Sequence, residues 1–196
     1  YVDIVSTLSL APVYMQRIMD VQALWRVWHD GSVDVELTVK KNPVFPRLPR
    51  FGVRLMLPCE MRRVSYYGLG PVESYPDKCR ASYHGRFEGT VDSLHEDYLY
   101  PQENGSHHDV SYVEVSGAGE KLSVAAGKGF SFNASPYTQE ELTEKMHNYE
   151  LVPSGHTVLC IDYRQDGIGS NSCGPGPEEQ YQLLENEFTF AFGLRF

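Results

Sequence analysis

The sequence has no Cys-x-x-Cys pair. Cys59, Cys79, Cys160 and Cys173 stand far apart, with no histidine at zinc-ligand spacing, so a metal site is not expected; no cofactor is expected in this chain either. An even cysteine count permits disulfides, but a chain of 196 residues needs no staples, and free buried thiols are the expectation. Positive charge is scarce as well. Against 17 Lys and Arg stand 26 Asp and Glu, a net charge of -9, which lacks the cationic footprint that a nucleic acid or an anionic membrane surface requires. No apolar run approaches the length of about 18 residues that a membrane-spanning helix needs, and the first twenty residues have no basic start followed by an apolar block. The chain starts at Tyr1 rather than Met, which suggests a piece of a larger polypeptide. Low-complexity tracts and internal repeats are also missing.

What is present is a sizeable apolar fraction, 41%, with 22% charged residues, ordinary for a globular domain. Its pattern is that of strands. Two alternating runs between Leu24 and Lys40 flank His29-Asp30-Gly31-Ser32, a strong hairpin signal. In the second run Val33, Val35, Leu37 and Val39 share one face and Asp34, Glu36, Thr38 and Lys40 the other, so one face is core and one is wet. Pro43, Pro46 and Pro49 then mark a crossing, and a strand begins near Arg50 with Phe51, Val53, Leu55 and Leu57 alternating up to Pro58. Met61 to Tyr67 reads as the partner of that strand. Thr157 to Tyr163 and Tyr181 to Phe196 close the chain, the last placing Phe188, Phe190, Phe192, Leu194 and Phe196 on one face opposite small residues such as Ala191 and Gly193. One helix is expected, from about Thr138 to His147, where Thr138 and Glu141 have capping-box spacing. Short strands, Gly- and Pro-rich connections and a single helix define one all-β antiparallel sandwich domain spanning residues 1–196.

Catalytic constellations are weak. Hydrolysis of a glycosidic bond takes two carboxyl groups held about 5 to 10 Å apart on rigid elements, and Glu73 and Asp77 instead follow turns, where carboxylates usually accept nearby backbone N–H groups. His107 and His108 are neighbours that a strand would point to opposite faces, and they read as solvent-facing loop residues. His84, His95, His147 and His156 stand alone. Trp25 and Trp28 belong to the first hairpin and the C-terminal phenylalanines to the core, so no aromatic sugar platform is located by spacing. The segment from Asp166 to Pro177 has no periodicity and is dense in small residues. It lacks the Gly-x-x-x-x-Gly-Lys pattern and opens no helix, which excludes a nucleotide cradle. A loop held against a neighbouring domain, offering its backbone and the Asn171 amide to a neutral polyol, fits its composition.

Several motifs occur in a fixed order: Asp30-Gly31-Ser32, Leu48-Pro49-Arg50-Phe51-Gly52, Gly68-Leu69-Gly70-Pro71, Tyr75-Pro76-Asp77, Pro101-Gln102-Glu103-Asn104-Gly105, Phe132-Asn133-Ala134-Ser135 and Gly167-Ile168-Gly169. From about Leu24 to the C-terminus this order resembles the C-terminal domain of family 2 β-galactosidases. The resemblance implies an antiparallel β-supersandwich like that of galactose mutarotases, packed on a separate catalytic (β/α)8 barrel that carries both catalytic glutamates. This chain would then hold no catalytic residue, would not hydrolyse galactosides alone, and would belong to a parent enzyme that is often a homo-oligomer.

The resemblance also implies that the loop from Gly167 to Pro175 helps wall the galactoside pocket, with Asn171, Ser172 and Cys173 as its substrate-side residues. Some family members carry a Trp where this chain has Cys173, so stacking on the aglycone is expected to be weaker or differently made. Two rival readings remain: a free-standing carbohydrate-binding module for galactose-containing glycans, and an aldose mutarotase. The second requires an acid–base pair across the sugar ring and rests on fold analogy alone.

Overall fold

A computed structural model describes residues 1–169 and 175–196. It is all-β and antiparallel, with ten strands and one short α-helix among the described residues. β1 (Val2–Leu10), β2 (Met19–Val27) and β3 (Val33–Lys41) form a meander. The turn between β2 and β3 is the expected one, with Gly31 at φ 84° and the Asp30 carboxylate accepting from the Ser32 N–H and hydroxyl at 3.0 and 2.7 Å. Val35, Leu37 and Val39 are buried, as their alternation predicts.

β4 (Arg50–Pro58) begins where the three prolines end. Its partner, however, is β9 (His156–Gln165). The segment expected to pair with it forms β5 (Arg63–Gly70), which lies between β6 (Tyr83–Thr90) and β7 (His107–Gly117). Adjacency in sequence favours a hairpin, but the β4–β5 connection turns the chain away from its own strand. The C-terminal strand β10 (Glu187–Arg195) sits between β3 and β8 and buries Phe188, Phe190, Phe192 and Leu194. Phe196 lies beyond the strand and is exposed.

β8 (Glu120–Ser135) is the long strand that joins two layers. Its first half pairs with β10 and β7, and its second half, after Ala126 to Gly129, pairs with β9 at Ser131–Ser135. The β4–β9 pair is thereby carried over the inner face of β10, where Phe51 meets Phe188 edge-on at 5.2 Å and Tyr163 stacks on Phe188 at 4.6 Å. Aromatic pairs at these separations add to the burial that holds the layers together. α1 (Gln139–Glu144) is shorter than expected, and one arm of the expected capping box forms: the Thr138 hydroxyl accepts from the Glu141 N–H at 3.1 Å, while the Glu141 carboxylate accepts from the Val152 N–H at 2.8 Å. Arg54 of β4 donates to Glu140 of the helix at 2.7 Å. No helix among the described residues is long and apolar enough to cross a membrane.

Among the described residues, one part of the sheet has no second layer over it. Val2, Ile4, Leu8 and Leu10 of β1 stand opposite Val27, Trp25, Val21 and Met19 and so continue the core-facing side of β2, yet each is between 45% and 63% exposed.

Candidate functional site

Three of the ordered motifs, those holding Pro49, Asp77 and Gly167, meet at the neck of the Gly-rich segment. Tyr75 and Lys78 exchange two backbone hydrogen bonds of 3.0 Å, closing a tight turn around Pro76 and Asp77. From that turn the Asp77 carboxylate accepts the Ile168 N–H at 2.9 Å and the Gly169 N–H at 2.6 Å. Asp166 donates its own N–H to the Pro49 carbonyl at 2.9 Å, and its side chain accepts from the Leu183 N–H at 2.6 Å. Gly167 donates to the Tyr181 carbonyl at 3.1 Å. On the return side the Gln182 amide donates to the Pro177 carbonyl at 2.8 Å. A Cβ built on Gly169 would lie 3.0 Å from the Pro177 nitrogen, so the two arms of the neck run side by side.

Behind the neck lies a buried polar network. Glu73, 7% exposed, accepts from the Lys78 ammonium, the Tyr98 hydroxyl and, at 2.8 Å, the Gly105 N–H. Burial pushes this carboxyl up, but the three donors outweigh it and hold the group below its ordinary value. Asn104 accepts the Glu96 N–H at 3.0 Å, and the Asn133 amide donates to the Asn104 carbonyl. Arg50 donates to Asp162 at 2.5 Å and to Glu103 at 2.9 Å, while the Gln165 amide adds a 3.0 Å bond to Asp162. One guanidinium thus serves two carboxyls. Burial, aided by the neighbouring Asp162 charge, pushes the Glu103 carboxyl up against the pull of Arg50. A cavity of about 320 Å³ opens here, with Arg47, Arg50, Glu103, Gln165, Asp166 and Ile168 on its walls.

Gly52, from the same motif as Arg50, stands where a Cβ would collide with the Ile161 carbonyl oxygen of β9. This close approach, at a register shift between Phe51 and Gly52, brings Arg50 over Asp162.

Glu73 and Asp77 do hold backbone N–H groups, but not the nearby ones expected of carboxylates after turns. Sequence spacing did not identify the N–H groups they hold, 32 and 91–92 residues away, and it missed Arg50, Glu103 and Asp162 as a cluster. The only signal for them was the ordered recurrence of short motifs. His107 and His108 require correction. They open β7, and His107 is 1% exposed, packed between Tyr66 and Phe132 at ring separations of 4.5 and 5.2 Å. Core packing on both sides overrides the polarity that suggested a loop. Of the cysteines, Cys59, Cys79 and Cys160 are free thiols, and of these Cys160 is buried while Cys59 is exposed. Burial pushes the Cys160 thiol up to about 12. Asn171, Ser172 and Cys173 lie outside the described residues. Among the described residues no group of three His, Cys, Asp or Glu side chains gathers to hold a metal.

A family model described as the β-galactosidase small chain matches residues 2–194. The chain belongs to this family. The match reaches into β1, further towards the N-terminus than the sequence motifs alone extend. The small-chain domain is 47% identical over 188 residues to a β-galactosidase of Actinobacillus pleuropneumoniae, covering 96% of this chain and 18% of that protein. It is 42% identical over 172 residues to a β-galactosidase of Staphylococcus xylosus, covering 88% of this chain and 17% of the relative. A β-galactosidase of an Arthrobacter species is 35% identical over 169 residues, 83% of this chain. The small-chain domain thus spans less than a fifth of the length of these relatives.

Proposed function

We propose that this small-chain domain is the C-terminal part of a β-galactosidase that hydrolyses terminal β-D-galactosides. It acts by presenting the loop from Gly167 to Pro175 to the sugar pocket of a catalytic barrel. The bond-breaking carboxylates belong to that barrel, and the isolated chain is inactive. The observation that carries this reading is the pinned neck: Pro49, Asp77 and the Tyr181–Leu183 stretch, three separate segments, hold residues 166–169, and positioning a substrate-side group is what such fixing achieves. The carboxyls around the neck are engaged by Lys, Arg, Tyr or backbone donors, which suits an anchor rather than a pair left free for acid–base work. The uncovered apolar stripe of β1 is the kind of surface that a neighbouring domain covers.

Replacing Cys173 with Trp in the full-length enzyme tests the reading. The Michaelis constant is expected to change by a different factor for galactosides with small and with aromatic aglycones. Unchanged kinetics for every aglycone would refute a pocket-wall role.

A further inference from the structure

We propose that Asp77 is a specificity-determining positioning residue: by clamping the Ile168 and Gly169 N–H groups it fixes the arm on which the Gly-rich loop is carried, and so governs which aglycones the parent enzyme accepts. The inference rests on the function proposed above and assigns the control of that loop to one side chain outside it.

The geometry singles out Asp77. Each carboxylate oxygen takes one amide, Oδ1 the Ile168 N–H at 2.9 Å and Oδ2 the Gly169 N–H at 2.6 Å, so two consecutive peptide planes are fixed by one rigid fork. Hydrogen bonds to a charged acceptor are stronger than neutral ones. The fork is itself held, because its turn is closed by the paired Tyr75 and Lys78 backbone bonds and Tyr75 is buried at 1% exposure. Lys78 of the same turn is tied to Glu73, which binds the Gly105 N–H, so the bracket is rooted in the domain interior. The loop side is equally constrained. A Cβ on Gly167 would lie 2.5 to 2.8 Å from the Asp77 carboxylate, closer than real Cβ atoms come, so this residue must be glycine for the fork to close. Gly169, at φ 59°, turns the chain immediately beyond the clamp.

Two perturbations therefore attack one contact from opposite sides. Asp77→Asn turns one acceptor into a donor facing an N–H, breaking one arm of the fork. Gly167→Ala leaves the carboxylate intact and pushes it off with a methyl group. If the clamp positions the loop, both variants of the full-length enzyme share a signature: KM moves more than kcat, by about tenfold for the most affected aglycone and by a different factor for each aglycone. The double variant then does little more than either single one, since the two act through the same contact. Asp77→Glu, which keeps both acceptor oxygens, is expected to recover part of the loss.

Amide NMR on this 196-residue chain gives an activity-independent readout, with Ile168 and Gly169 expected to shift in both variants while strand amides stay in place. Loss of thermal stability with KM and kcat reduced alike for all aglycones would overturn the proposal, because that is the mark of a merely structural residue. Aglycone-dependent kinetics for Cys173→Trp together with unaltered kinetics for Asp77→Asn would overturn the clamp while leaving the pocket wall in place. If both were without effect, the pocket wall itself would fail.

Discussion

Removing the imidazole of His107 is expected to flatten the acid sensitivity of the fold. The ring is buried against Tyr66 and Phe132, its Nδ1 lies 3.0 Å from the Tyr66 hydroxyl and 3.3 Å from the Leu69 carbonyl, and its Nε2 has no hydrogen-bond partner among the described residues. Protonation would place an N–H and a charge on a site with no acceptor at Nε2. Burial, opposed only in part by the Leu69 carbonyl and the Glu73 charge, lowers this histidine from 6.5 to about 4. Because the folded value is the depressed one, the unfolded chain binds the extra proton between these limits, and stability falls as pH drops through that window. At about 1.36 kcal/mol per pKa unit the whole window is worth roughly 3 kcal/mol. Above pH 6.5 both states are neutral, and the effect is absent.

The variant His107→Phe keeps a ring between the same neighbours and removes the titration, losing about 1 kcal/mol for each hydrogen bond forgone at neutral pH. Urea unfolding of both proteins at half-unit steps from pH 7.5 to 4 reads the outcome. The parent chain should lose about 3 kcal/mol more than the variant across that range. His95 and His108, also lowered by burial, are present in both proteins and largely cancel in the comparison. Parallel loss of stability in the two proteins would refute a histidine buried in its neutral form.

The Arg50 cluster predicts an asymmetry: Arg50→Met should cost about 3 to 5 kcal/mol, because it strands the buried Asp162 carboxylate, whereas Glu103→Gln, which relieves crowding around the same guanidinium, should stay within about 1 kcal/mol. Equal losses in denaturant titrations would contradict the shared-guanidinium arrangement. On β1, Leu8→Lys breaks the uncovered apolar stripe. Sedimentation velocity should show less concentration-dependent association of the isolated chain, with stability changed by no more than about 0.5 kcal/mol, and undiminished association would mean that another surface is responsible.

Local chemistry was legible in the residues themselves. Asp-Gly between alternating runs placed the β2–β3 turn, three prolines placed the start of β4, and Thr138 with Glu141 placed the helix cap, because each signal acts over a few residues of backbone. That Glu73 and Asp77 accept backbone N–H groups was readable, but the groups were expected nearby and lie in other segments. Tertiary structure alone decided that β4 pairs with β9 rather than β5, since a strand's pattern names its buried face and not its partner. It also decided that His107 is enclosed between two rings, and that Asp77 reaches the amides of Ile168 and Gly169. A side chain's type states what it can bond. Its partner, when 91 residues away along the chain, is chosen by the packing of two layers that neither segment encodes by itself.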